Sequence, residues 1–209
     1  MILAPALPLT LDIASLRRIV LRPNLRFSEE DFLEFCGDNP DLHIEETAEG
    51  DLIIMAPSGF ESGFIGSRIF AKLNTWAEKD GRGIALAAET GFRLPDSSLY
   101  SPDAAWVPFE RVKAIPRESR RVFPRVLPAF VIEVRSPSDR KKDLHEKMLA
   151  YMRNGVELAW MIDPQSRTVS IYKPGQETPV ELNDRQRVKG EGPVAGFVLD
   201  LKRIYDQLA

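Results

Sequence analysis

Cysteine and histidine are nearly missing from this chain. Cys36 is the one thiol, and His43 and His145 are the two imidazoles among 209 residues. A lone thiol excludes an internal disulfide and a thiolate zinc cluster, and two imidazoles leave little for a histidine-rich zinc site. Serine–histidine catalysis would have to use one of the same two histidines. Long apolar runs are lacking as well: nothing approaches the roughly 18–20 residues of a membrane helix. The N-terminal MILAPALPLTLDIASL has no basic start of the signal-peptide kind, and Pro5 and Pro8 interrupt it. These features lead to the expectation of a cytoplasmic protein without membrane contact. Positive charge is not in excess either, with a net charge of −3 and a pI of about 5.6. Sequence-blind coating of DNA is driven by neutralising phosphates, so nucleic-acid contact would need a local basic patch. SGFESG lacks the lysine of a phosphate-binding loop, and no nucleotide cofactor is expected.

What is present is an ordinary globular composition, 44% hydrophobic and 28% charged. Residues 1–26 read as an N-terminal arm and 27–209 as one domain. FSEEDFLEF predicts a short helix capped by Ser28, with Asp31 at its third position. LHIEETAEGDLIIM predicts an N-terminal hairpin turning at Ala48–Asp51. In SGFESGFIGSRIFAKLNTWAEKDG, Ile65, Ile69, Leu73 and Trp76 recur at helical spacing and Gly81 is a natural stop. GIALAAETGFRL reads as a strand or hairpin arm, and SPDAAWV as a short strand entered through Pro102. AFVIEV is a nearly continuous apolar run suited to a strand covered on both faces. A second helix follows, capped by Ser138 or Asp139 and closed by Gly155. VELAWMID and TVSIYK are strands joined by a turn at Pro164–Ser166, and further C-terminal strands precede an amphipathic end, FVLDLKRIYDQLA. The core order helix–strand–strand–strand–helix–strand predicts an α/β (α+β) fold with a mixed sheet flanked by helices.

The chemistry concentrates on Asp103 in SPDAAWV and Glu133 in FVIEVRS. A carboxylate in a short apolar strand costs several kcal/mol unless it is paired. A hard cation is one partner. Magnesium is typically held by one or two carboxylates with waters and phosphate, and the backbone carbonyl of Val134 could add an oxygen. The competing reading is a pair of strand-end carboxylates satisfied by water or by Arg135. The basic stretch from Arg111 to Arg125 is either a solvated loop or a phosphate-contacting one. Arg117, Arg120 and Arg121 within it, with Lys141, are the candidate nucleic-acid contacts.

SPDAAWV, FVIEVRSPSDR and KMLAYMRNGVELAWMIDP together resemble the Uma family of putative bacterial restriction endonucleases, placed in the PD-(D/E)XK nuclease superfamily. The resemblance runs from about Phe27 to about Leu201 and is most specific from Ser101 to Pro164. It implies a restriction-endonuclease-like core in the order read above. It maps the superfamily's first aspartate onto Asp103 and its second acid onto Glu133. The lysine position two residues further is Arg135, a departure that matters because arginine holds its proton too firmly to act as a base. Arg135 could still stabilise charge developing at phosphorus. Lys147, three residues after Leu144 and four before Tyr151, lies beside the apolar helix face, and the superfamily's known shift of lysine to this helix implies it as a substitute. Its competing reading is a surface lysine whose stem covers the core.

A further acid is implied by the family. Glu46 is the candidate, Glu45 competes with it for the inward face, and Glu61 is the alternative from the first long helix. Tyr151 and Trp160 are expected in the core, Asp163 at a turn start, and His145 facing solvent. The expectation is a Mg²⁺- or Mn²⁺-dependent endonuclease acting on DNA as a homodimer. The alternative is an inactive or weak member of the fold that binds nucleic acid or protein.

Overall fold

The computed structural model describes residues 18–23, 26–55, 57–137 and 139–208. Most of the expected arm, and Ser138, lie outside them. In chain order the elements are β1 (Arg18–Leu21), α1 (Glu29–Asp38), β2 (His43–Glu46), β3 (Leu52–Met55), α2 (Phe60–Asp80), β4 (Gly83–Ala87), β5 (Phe92–Arg93), β6 (Leu99–Tyr100), β7 (Ala104–Pro108) and α3 (Phe109–Ala114). A 3₁₀ turn at Glu118–Arg121 leads to β8 (Phe130–Val134), α4 (Lys141–Arg153), β9 (Leu158–Asp163), β10 (Thr168–Tyr172), β11 (Val180–Asn183), β12 (Arg187–Lys189), β13 (Val198–Asp200) and α5 (Leu201–Tyr205).

The local signals act where the sequence places them. Ser28 and Asp31 form a reciprocal capping box at α1. Ile65, Ile69 and Leu73 are buried along α2, which ends at Gly81 with φ 72°, a left-handed conformation that favours glycine. Trp76 is half-buried, its ring 5.9 Å from that of Trp106 and 5.7 Å from that of Phe197. α4 departs from expectation at its start. Its N-cap is Arg140, without a side-chain cap, because the Asp139 carboxylate instead accepts from the backbone N–H and the hydroxyl of Ser136. The C-terminal amphipathic stretch divides into β13 and α5, with the Asp200 carboxylate accepting from the backbone N–H of Arg203.

The main sheet has the order β11-β10-β9-β8-β7-β4. Every pair is antiparallel except β8–β9, which are parallel and joined by the α4 crossover. The order α2-β4-β7-β8-α4-β9 reproduces the predicted core. Side chains alternate between the two faces. Ala104, Phe130, Ile132 and Trp160 pack with α2, whereas Ala105, Val131, Ala159 and Met161 pack with Met148 and Tyr151 of α4. A second sheet, β1-β3-β2-β6-β5, takes in the β5–β6 hairpin inserted between β4 and β7. Among the described residues no helix is long and apolar enough to cross a membrane.

Candidate active site

Asp103 immediately precedes β7. The antiparallel register pairs Ala104 with Ile132, so the next step sets Asp103 opposite Glu133. Directly opposed residues share a face, and this one is the face covered by α4, as Ala105 and Val131 show. The two carboxylates therefore converge. Asp103 Oδ2 accepts from the Val134 N–H at 2.6 Å. Val134 thus meets Asp103 through its amide.

Above the pair stands Lys147. Its Nζ lies 2.7 Å from Glu133 Oε1 and 2.8 Å from Glu45 Oε1. The Tyr151 hydroxyl donates to Glu133 Oε1 at 2.9 Å, and the Ser101 N–H donates to Glu45 Oε1 at 2.8 Å. Glu45 and Glu133 are 2% and 5% exposed, too deep for water to satisfy them alone. Asp103 Oδ1 and Glu133 Oε2 have no hydrogen-bond partner among the described residues.

Three carboxyl groups around one ammonium make the site electrostatically unbalanced. Burial pushes Asp103 up to about 6, with the Val134 N–H and Lys147 pulling the other way. Burial likewise raises Glu133, reinforced by Asp103 and Glu45 and opposed by Lys147. Burial alone would lower Lys147, yet Glu133 and Glu45 hold it well above its ordinary value, so it carries its proton at neutral pH. Burial and the adjacent Glu133 raise the Tyr151 phenol, leaving it a donor.

Other expected site residues lie elsewhere. Glu46 is not part of the cluster. It pairs with Arg93 and, at 3.1 Å, with Arg26. Strand alternation is the reason: Ile44 and Glu46 share the side on which Ile44 packs with Phe32, while Glu45 faces Lys147. Arg135 is turned from Glu133 to Asp163, with Nη1 2.7 Å from Oδ2, and its fork also donates to the Asp139 carbonyl. Asp163 starts the expected turn, its Oδ1 accepting from the Gln165 and Ser166 amides. Arg135 and Ser166 hold the Asp163 carboxyl below the usual range although burial opposes them. Glu61 is exposed on α2. His145 is not free in solvent: its Nδ1 lies 2.8 Å from the Tyr172 hydroxyl.

The basic stretch is structured. Arg120 donates to the carbonyls of Ile115 and Val112 and closes the end of α3. Arg111 bonds the Leu127 carbonyl and Glu157, and Arg125 pairs with Glu29. Arg117 and Arg121 have no ion-pair partner among the described residues. The stretch leaves the far end of β7 and returns at the start of β8, so the strands separate its attachment points from Asp103 by about 17 Å and from Glu133 by about 10 Å. Lys141 pairs with Glu181 at 3.3 Å.

Does this arrangement fit a divalent ion? Among the described residues no three or more His, Cys, Asp or Glu side chains form a ready-made ion cage, and Glu45 and Glu133 each commit an oxygen to Lys147. The fit is to a hard cation held by two carboxylates and completed by other oxygens, the habit of magnesium. The unpaired oxygens of Asp103 and Glu133, and the charge imbalance around them, suit that ion.

A family model, Uma2, described as "Putative restriction endonuclease", matches residues 29–202. A solved structure described as a putative nuclease belonging to DUF820, from Anabaena variabilis ATCC 29413, superposes with a TM-score of 0.69. It is 21% identical, over 88% of this chain and 99% of that one, and at this identity the likeness is one of fold. No protein of curated function matches the chain.

Proposed function

The chain belongs to the Uma2 family, and from that premise we propose that it is a metal-dependent endonuclease that hydrolyses DNA phosphodiester bonds. The observation that supports this most strongly is the facing pair Asp103 and Glu133 with the Lys147 ammonium 2.7 Å from Glu133. Asp103 and Glu133 would hold Mg²⁺ or Mn²⁺, with the Val134 carbonyl as a further oxygen. Bound there, the ion supplies a Lewis acid beside the scissile phosphate and a coordinated water of lowered pKa.

The chain's own groups divide the remaining work. Lys147 is a fixed positive charge facing the position where negative charge grows on the phosphate. It is not the base, since Glu133 and Glu45 keep it protonated. Glu45, pinned by the Ser101 amide, positions Lys147. Tyr151 fixes the Glu133 carboxyl and leaves Oε2 for the ion. Arg135 does not reach the pair; it ties the ends of β8 and β9 through Asp163. The lysine role therefore falls to α4. Cutting both strands of a duplex suits a homodimer, and a cytoplasmic setting suits a chain with one thiol.

Plasmid and single-stranded DNA are incubated with the protein in Mg²⁺, Mn²⁺ or EDTA, beside Asp103→Asn and Glu133→Gln. Cutting that needs the ion and disappears in both variants supports the proposal. Cutting that survives in both variants refutes it. DNA retention without cutting by the unaltered protein would favour a binding module on the same fold.

A further inference from the structure

The opposite flank of α4 borders a cavity. It is a groove of about 730 Å³ between α4 and β10–β11, lined by Lys141, Lys142, His145, Met161, Ser170 and Tyr172 among others. The sheet register connects it to the carboxylates. Glu133 pairs with Met161, and Met161 pairs with Ser170, so all three lie in one row on one face. Two strand spacings set Ser170 about 10 Å from Glu133, with α4 as the wall between.

Ser170 carries the argument. It is 1% exposed, yet its hydroxyl finds no hydrogen-bond partner among the described residues. A buried hydroxyl is normally satisfied, and this one lines a cavity large enough for a small ligand. The floor beside it is apolar, formed by Met161 and the Tyr172 ring, whose hydroxyl is anchored to His145. The rim is polar. Lys141 is tied to Glu181, whereas Lys142 is exposed and has no ion-pair partner among the described residues. An apolar slot with one inward hydroxyl and one free cation at its mouth fits a nucleobase carrying a phosphate better than it fits a bare anion.

We propose that this groove binds one nucleotide unit of the nucleic-acid substrate, its base inside against Ser170 and its phosphate at Lys142. The inference rests on the nuclease reading and adds a second contact point beyond the α4 wall. A strand engaged at both points would pass the N-terminal end of α4, and 10 Å corresponds to about three stacked nucleotides.

The test is titration of the whole protein in EDTA with 5′-deoxynucleoside monophosphates, the matching nucleosides and inorganic phosphate, followed by NMR. Nucleotides are expected to saturate below about 10 mM. Ser170→Val should weaken them about fivefold, the worth of one hydrogen bond, with an unchanged or higher thermal midpoint. Lys142→Glu, on the exposed rim, should weaken nucleotides but not nucleosides. Absence of saturation, inorganic phosphate binding as tightly as nucleotides, or indifference to both substitutions overturns the proposal. Asp103→Asn should leave this binding intact, which separates the two claims. A protein that binds nucleotides but never cuts DNA loses the hydrolytic reading alone, and one that cuts without binding nucleotides loses the groove alone.

Discussion

Replacing Asp103 by asparagine should make the metal-free protein more stable at neutral pH. The amide keeps an oxygen to accept from the Val134 N–H at the position where the carboxylate accepts at 2.6 Å, and it removes a charge that burial disfavours. The acid has its folded pKa raised from 3.8 to about 6. Well below pH 3.8 it is protonated in both states and contributes nothing. Between pH 4 and 6 the unfolded chain ionises first, so stability falls as pH rises, and above 6 the full cost is present. Two pK units correspond to about 3 kcal/mol, reduced to about 2–3 kcal/mol by the solvent that reaches this partly exposed residue. For a domain of this size that is about 5–10 °C in thermal midpoint. The variant also relieves Glu133, whose pKa the Asp103 charge helps to raise. Thermal melts in EDTA from pH 4 to 8, read by tryptophan fluorescence, should show the unaltered protein losing ground to Asp103→Asn as pH increases. Adding Mg²⁺ at pH 7.5 should stabilise the unaltered protein and not the variant. A variant that is less stable than the parent at pH 8 would refute the reasoning, because the carboxylate would then be a satisfied structural group.

Three further outcomes follow from the same cluster. Lys147→Met strands Glu133 and Glu45 as buried charges and should cost about 3–5 kcal/mol near pH 8, with the loss shrinking on acidification; urea titrations at pH 5 and 8 measure it. Glu46→Gln breaks the buried pair with Arg93 and should destabilise by a comparable about 3–5 kcal/mol, yet leave Mg²⁺ affinity by calorimetry unchanged. Apparent Mg²⁺ affinity should weaken as pH falls through about 6, where protons compete for Asp103, with the raised Glu133 carboxyl adding to the competition, and flat affinity from pH 5 to 8 would count against both as ligands.

Much of the frame was legible in the residues because it rests on local patterns. Ser28 with Asp31, the spacing of Ile65, Ile69 and Leu73, and the run AFVIEV each state their element without help from elsewhere. The β5–β6 insertion was not legible, since strands of two residues carry no period. The fate of HIEE shows the limit most clearly. Two adjacent glutamates on a strand must point to opposite faces; both are buried here, and the packing of Ile44 with Phe32 puts Glu46 on that side and Glu45 toward Lys147. Ile44 visibly shares the side of Glu46, but its partner Phe32 comes from α1, so the sequence alone does not tell which side faces the carboxylate pair. The partner of His145 was not legible for a different reason: Tyr172 is distant in the chain, and no spacing on α4 reveals it.

The lysine question turns on competition for partners. At the position two residues past Glu133, a lysine would extend toward the carboxylates. Arginine there has a planar fork that matches a carboxylate and a carbonyl at once, and Asp163 with the Asp139 carbonyl supplies both. Asp163 sits where β9 ends, so this bond also fastens the parallel pair next to the site. The vacancy beside Glu133 is then filled from α4, where Lys147 finds two carboxylates and the Tyr100 and Tyr151 rings at 5.6 and 6.0 Å. Each cation has thus taken the partner its shape suits, and lysine at 135 could not reproduce the fork. The departure from the lysine pattern at Arg135 is, on this account, an exchange of positions that keeps one positive charge beside Glu133.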